Sequence, residues 1–456
     1  MNQSLRATLA FGAFFVALGL VGVLQSWQVA LAILNLCLIS AVMSLGVNIQ
    51  WGYAGLFNVG IMAYAALGGV AVVLVSHAPV PEAWAAGGSG IVAGVSILAM
   101  AFGAIQIVRT ALPKGWVRLV AILAVLAAAF WALGEFYYPG VAAIEAVNPA
   151  RTGFLGGMGL PVLFSWAMGG LLAAGAAYLV GKLALGLRSD YLAIATLGIS
   201  EIVVAVLKNE DWLARGVKNV TGLPRPVPYE LELQSSPWFI DLVARLRAGA
   251  LEAATSDAAR EAMLRQFTVE GAGIAVKLAY AVLFALVLLI VLAACVRALN
   301  SPWGRMMRAI RDNEEAAAAM GKDITKRHLQ VFVLGSAVVG IAGAMLTTLD
   351  GQFTPGTYNP LRFTFLIWVM VIVGGSGNNL GAVLGAFLVW FLWVEAEPAG
   401  QWIVGWVTQN MDPASPLTQH LVDIAAPLRL FVMGLMLLIV MRFSPRGLLP
   451  EVARRG

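Results

Sequence analysis

Few residues in this chain have the type and spacing to make or break bonds. Its three histidines, His77, His328 and His420, lie far apart, and its two cysteines, Cys37 and Cys295, each sit in an apolar run. No His, Cys and carboxylate spacing suits a catalytic metal, and two isolated cysteines support no disulfide framework. No GxxxxGK[ST] stretch occurs, so no phosphate-cradling loop is expected in this chain. An intramembrane hydrolase would need a paired Ser/His, His/Asp or metal-ligand set, and none stands at a useful spacing. What remains is polarity where polarity is costly. Glu201 interrupts the apolar run IATLGISEIVVAVL at 194–207. A carboxylate at membrane depth is a functional hypothesis, with solvation or the tying together of helices as the alternative. Asn58 and Thr196 also carry polar groups into apolar runs, where helix-packing hydrogen bonds are the stronger reading. In GGSGNN at 374–379, Gly374, Gly375 and Ser376 could present backbone groups to a solute, because broken helices free amides and carbonyls. A tight turn at one end of a bundle is the alternative.

The densest charge is in residues 301–327, SPWGRMMRAIRDNEEAAAAMGKDITKR, caught between two membrane-length runs. Ser301 can cap a helix, Pro302 is tolerated at its first position, and Gly321 can stop it. Arg308 and Asp312, like Arg311 and Glu315, lie four apart and share a face. Trp303, Met306, Ile310 and Ala317 make an apolar stripe on another. A short amphipathic helix of this kind needs a surface on which to bury its stripe, so it reads as a docking element.

The elements that position these residues are membrane helices. The chain has 456 residues, 60% of them hydrophobic and only 12% charged, with a mean hydropathy of +0.85. Soluble domains are about 25% charged. This composition defines an all-α polytopic membrane protein, and the 49 glycines suit helices that approach closely in lipid. Spans are expected at about 5–24, 28–49, 54–76, 89–108, 118–136, 161–186, 191–207, 272–296, 328–349 and 426–442. For residues 5–24 a cleaved signal peptide is the rival, but the run is long and lacks a clear cleavage site. Residues 362–396 are too long for one straight span of roughly 20 residues, so they read as two short helices meeting at GGSGNN, or as a re-entrant hairpin.

Orientation follows from the basic residues. The net charge of +5 is concentrated in a few loops, which favours retention of those loops in the cytoplasm over nucleic-acid binding. With the N-terminus inside, Arg6, the 109–118 loop, Lys182 and Arg188, the 297–327 loop and the arginines after 441 all fall on the cytoplasmic side. About 10–12 spans are expected, with both termini cytoplasmic. The long loop at 208–271 then lies outside, as long loops escape the positive-inside rule. Within it, LVARLRAGALEAA at 242–254 is a candidate amphipathic helix on the bilayer surface.

Four stretches resemble the permease subunits of bacterial ABC importers for branched-chain and other hydrophobic amino acids. They are LGVNIQWGYAGLFNVGIMAYAALGG at 45–69, LRSDYLAIATLGISEIV at 187–203, GRMMRAIRDNEEAAAAMG at 304–321, and VGIAGAM with VIVGGSGNNLGAVLGA between 339 and 386. The resemblance implies a type II importer membrane domain in a bacterial inner membrane. It also implies a cytoplasmic coupling helix that docks on an ATPase subunit, carried here by Arg305, Arg308, Arg311, Glu314, Glu315, Ala316, Ala317 and Gly321. The implied partners are two ATP-binding cassette subunits that hold ATP and Mg, a second related permease, and a periplasmic solute-binding protein. Related permeases carry urea or short amides, which is the alternative substrate class, and a passive channel is a further rival. Residues 80–158, with two extra spans, and about 229–270, which lengthen the outer loop, depart from the family pattern. Lipid-facing decoration is the reading for the first insertion; a seat for the binding protein or a solvated insertion are the readings for the second.

Overall fold

The computed structural model describes residues 3–149, 152–254, 256–409, 411, 415, 419–421, 423 and 428–451. The first helices are α1 (Gln3–Leu24), α2 (Trp27–Ala54), α3 (Ile61–Ser76), α4 (Pro81–Ala111), α5 (Trp116–Ala146), α6 (Val162–Ala184) and α7 (Ser189–Asn209). Four short helices follow: α8 (Asp211–Ala214), α9 (Glu230–Ser235), α10 (Pro237–Leu246) and α11 (Ala248–Glu252). Then come α12 (Asp257–Asn300), α13 (Pro302–Asp312), α14 (Glu314–Ala319), α15 (Ile324–Asp350), α16 (Pro360–Gly374), α17 (Asn379–Thr408) and α18 (Leu428–Phe443). Among the described residues nine helices are long and apolar enough to cross a membrane. Three shorter apolar helices, α3, α16 and α18, have 16, 15 and 16 residues. The molecule is a multi-pass membrane protein.

Local chemistry sets the helix ends. Ser26, Ser256 and Asp323 each accept a backbone N–H three residues on, at 3.2, 3.2 and 3.0 Å, and so open α2, α12 and α15. Gly55 and Gly351 close α2 and α15 with φ of 70° and 66°, a conformation that glycine adopts without a Cβ penalty. The core is built from α2, α3, α6 and α15. These helices are apolar on all sides, so burial alone does not choose their contact faces; small residues do. A methyl at Gly335 would lie 2.6 Å from the Gly46 carbonyl oxygen, and one at Gly340 would lie 2.6 Å from that of Gly169. The α15 backbone therefore presses directly on α2 and α6. On the outer side of α2 pack α12 and the antiparallel pair α16–α17.

Several expectations change. Residues 362–396 do form two helices around GGSGNN, but α17 runs on to Thr408 through Pro398. The expected span at 272–296 is the second part of α12, whose 44 residues extend about 66 Å. Residues 242–254 are not one surface helix. The chain breaks at Arg247, and Phe239 and Val243 are buried against the α12 extension beside Gly271. The long loop is pinned further by strand β1 (Val220–Thr221), antiparallel to β2 (Gln352–Phe353), with Val220 opposite Phe353.

The pair α4–α5, expected as an insertion, stands apart from the main core. It packs on itself, and its own small core of Val80, Ala83, Ile91, Ile144 and Leu155 is separate from the main one. The chain leaves the body at Val80 and returns at Leu155. Those two residues share a hydrogen bond of 3.1 Å, beside a bridge between Pro79 and Gly156. Beyond this neck, Tyr137 and Trp212 meet at Glu210, whose Oε2 accepts from both, at 3.2 and 2.6 Å.

Candidate functional site: a charged junction at one end of the bundle

The segment expected as one coupling helix is two. Asn313, at φ −156° and ψ 99°, breaks it, and its Oδ1 accepts the Ala316 N–H at 2.9 Å to open α14. An asparagine side chain competes with the backbone for this role, which is why it caps helices better than it continues them. Ser301 precedes α13 but does not cap it through its side chain; its Oγ donates to the Ala298 carbonyl at 2.6 Å. Gly321 ends α14 with φ 74°.

The apolar stripe is already covered by the chain itself. Gly304, Met307, Ile310 and Ala317 are buried, whereas Trp303 and Met306 are half-buried. Met307, beside the expected stripe, is buried because the helix is rotated slightly from it. The stripe is thus the anchor that holds α13–α14 on the bundle. The outward face carries Arg305, Ala309, Glu314, Glu315, Ala316, Ala318 and Ala319, ending in Met320, which is 79% exposed.

The basic residues separate into different roles. Arg305 is exposed. Arg308 donates to the Leu299 carbonyl at 3.3 Å and lines a cavity of about 280 Å³ with Tyr53, Asn378, Asn379 and Glu451. Arg311 does not pair with Glu315. Its Nη1 donates to the Gly52 carbonyl near the end of α2 and to Glu451 Oε2 at 2.9 Å, and its guanidinium also meets Asp312 at 3.0 Å. Burial opposes the charge on Arg311, but hydrogen bonds and proximity to Glu451 and Asp312 outweigh it, so its pKa is raised. No spacing rule points to Glu451, since it lies 140 residues away.

Glu451 closes a strap over the glycine-rich turn. Leu448 and Leu449 donate backbone N–H bonds to Val373 and Gly374, both at 2.9 Å, and Asn378 Nδ2 donates to the Leu449 carbonyl at 3.1 Å. Gly375 and Gly377 have φ of 114° and 81°. A side chain at Gly377 would sit 2.7 Å from Glu451 Oε2. Ser376 is exposed. From inside, Asn48 Oδ1 accepts the Gly377 N–H at 2.9 Å, and Asn48 Nδ2 donates to Asn379 Oδ1 at 3.1 Å. Gly374 to Asn379 therefore form a tight turn, held by α2, the strap and Arg311 together.

The other polar candidates lie elsewhere. Asn58 is 1% exposed; its Nδ2 donates to Gln50 Oε1 at 2.9 Å and its Oδ1 accepts from Gly60 N. Thr196 Oγ1 accepts from Val59 N and donates to the Ala193 carbonyl, both at 3.0 Å. Both side chains are committed to packing the 55–60 break against α7. Glu201 is exposed on the opposite face of α7.

The body is a bundle of membrane-length helices whose charged, self-anchored end segment grips the end of α2. The family model described as "Branched-chain amino acid transport system / permease component" matches residues 127–441, and the chain belongs to that family. It is 30% identical over 254 residues to the high-affinity branched-chain amino acid transport system permease protein LivM of Salmonella typhimurium, covering 55% of this chain and 54% of the relative. It is also 30% identical over 155 residues to a probable branched-chain amino acid transport permease protein LivM of Methanocaldococcus jannaschii, covering 34% and 41%. The xylose transport system permease protein XylH of Escherichia coli is 31% identical over 108 residues, covering 23% and 28%. The chain spans about half the length of these curated branched-chain permease relatives. No solved structure matches it significantly.

Proposed function

We propose that this chain is the membrane-spanning permease of an ATP-driven importer for branched-chain and other hydrophobic amino acids. The observation that carries this reading is the two-faced α13–α14 segment. One face is buried on the bundle, and the other presents Arg305, Glu314, Glu315 and Ala316 to a partner. A push on that outer face reaches α2 through the contact of Arg311 with the Gly52 carbonyl. In this reading the partner is an ATP-binding cassette subunit, which holds ATP and Mg. Two such subunits, a second related permease and a periplasmic binding protein complete the assembly. The α13 end faces the cytoplasm of a bacterial inner membrane, in keeping with the basic residues Arg109, Lys114, Arg118, Lys182 and Arg188 in or beside the short loops. The names of the relatives support amino acids over urea or amides as the substrate.

The test is co-isolation of the tagged chain with ATPase subunits, followed by ATP-dependent leucine uptake in vesicles holding the whole complex. Glu315→Arg together with Gly321→Val is expected to abolish uptake while the chain still inserts. Unchanged uptake by that double variant would remove the coupling role from this segment.

A further inference from the structure

Glu201 is misplaced for a lipid-facing side chain. It lies on α7, seven residues before Lys208 and thirteen after Arg188. At about 1.5 Å per residue it is roughly 10 Å and 20 Å from these two charged ends, inside a hydrocarbon layer about 30 Å thick. It is exposed, and it makes no hydrogen bond or ion pair with the described residues. Two other carboxylates of the span helices are partnered: Glu395 accepts from Gln25 at 2.7 Å and Glu397 pairs with Arg429 at 3.6 Å. Glu135, on α5, is exposed.

The face around Glu201 is open. The buried side of α7 carries Leu192, Thr196, Ser200, Val204 and Leu207, which pack on the body. On the other side, Gly198 and Ala205 lie about one turn before and after Glu201. A methyl added at Gly198 would meet nothing within 4 Å. Ile194 and Ile202 flank the carboxylate with exposed aliphatic surface. A charge at this depth costs several kcal/mol in lipid and is tolerated where it faces water or a partner.

We infer that the open face of α7 lines the aqueous path of the assembled transporter, and that Glu201 receives the α-ammonium group of the amino acid passing through it. The inference rests on the permease reading above and assigns that reading a substrate-contacting residue. One face then offers both halves of the recognition. The carboxylate selects a cationic amino group, and Ile194 and Ile202 accept a branched aliphatic side chain.

The experiment uses the complete complex in vesicles, with Cys37 and Cys295 replaced by Ala and a single cysteine introduced by Glu201→Cys. A membrane-impermeant methanethiosulfonate is applied to both sides, with Asn209→Cys as the exposed control and Leu123→Cys on α5 as the lipid control. Modification at 201 is expected, slowed by leucine with its binding protein, while position 123 stays inert. In the otherwise native chain, Glu201→Gln is expected to lower leucine uptake about tenfold or more, as loss of a charged hydrogen bond predicts. Glu201→Asp should keep most of the uptake, and neither variant should lose its ATPase subunits. An inert cysteine at 201, or wild-type uptake by Glu201→Gln, overturns the inference. Absence of leucine uptake by the unmodified complex would instead overturn the permease reading.

Discussion

Arg311 and Asn48 show how much of the charged end depends on single side chains. The Arg311 side chain is 24% exposed and that of Glu451 27%, so the pair is shielded enough for each partner to depend on the other. Replacing either by Ala frees the strap from α13. Each substitution is expected to lower the leucine transported per ATP hydrolysed while ATPase subunits still co-isolate. The double variant should be little worse than Arg311→Ala alone, a non-additivity of about 1 kcal/mol or more that marks a direct contact. Independent, multiplying effects would show that the two residues do not act as a pair. Asn48 has a purely internal role. Asn48→Leu strands the buried Gly377 N–H and leaves Asn379 Oδ1 with Tyr53 OH as its remaining donor, at a cost of about 1–3 kcal/mol. The expected result is a lower melting temperature of the detergent-solubilised chain, and an unchanged one would contradict the role given to Asn48.

At the level of elements, the pair α4–α5 is closed off by its own neck. Because Val80 and Leu155 already meet at 3.1 Å, replacing residues 82–153 with a short Gly-Ser linker needs little rearrangement of the body, and loop closure over so short a span is inexpensive. The excised chain is expected to insert, to co-isolate with ATPase subunits and to transport. Failure to insert would mean that the pair supports the fold rather than decorating it. By contrast α15 has no such freedom, since its glycines meet the α2 and α6 backbones directly. The α13–α14 segment shows the limit of a periodicity argument. Its alanine-rich sequence reads as one helix, and a single Asn at 313 divides it because its side chain satisfies the next helix start. The apolar stripe was legible; that it is covered by the chain's own body was not, since an amphipathic pattern states that a face is buried and not against what.

For the whole molecule, the distinguishing measurement concerns what competes for transport. Leucine, isoleucine and valine are expected to inhibit labelled leucine uptake by the complex, and urea and xylose are not; inhibition by urea alone would overturn the amino-acid assignment. The class was available from composition, because long apolar runs in lipid have helices as their open-chain solution. The presence of most span helices followed from the length of the apolar runs, and the glycine-rich turn at 374–379 from its composition; the ends of α4, α5, α12 and α17 did not. Three-dimensional structure alone decided which faces of equally apolar helices meet, since no polar stripe orients them and the choice rests on backbone-to-backbone contacts at Gly46, Gly169, Gly335 and Gly340. It also decided that Asn58 and Thr196 are packing residues while Glu201, on the far side of the same helix from Thr196, is open. The junction of Arg311, Gly52, Gly377 and Glu451 belongs to the same category: it joins residues up to about 400 positions apart, and no local pattern encodes a contact that only the closing of the bundle creates.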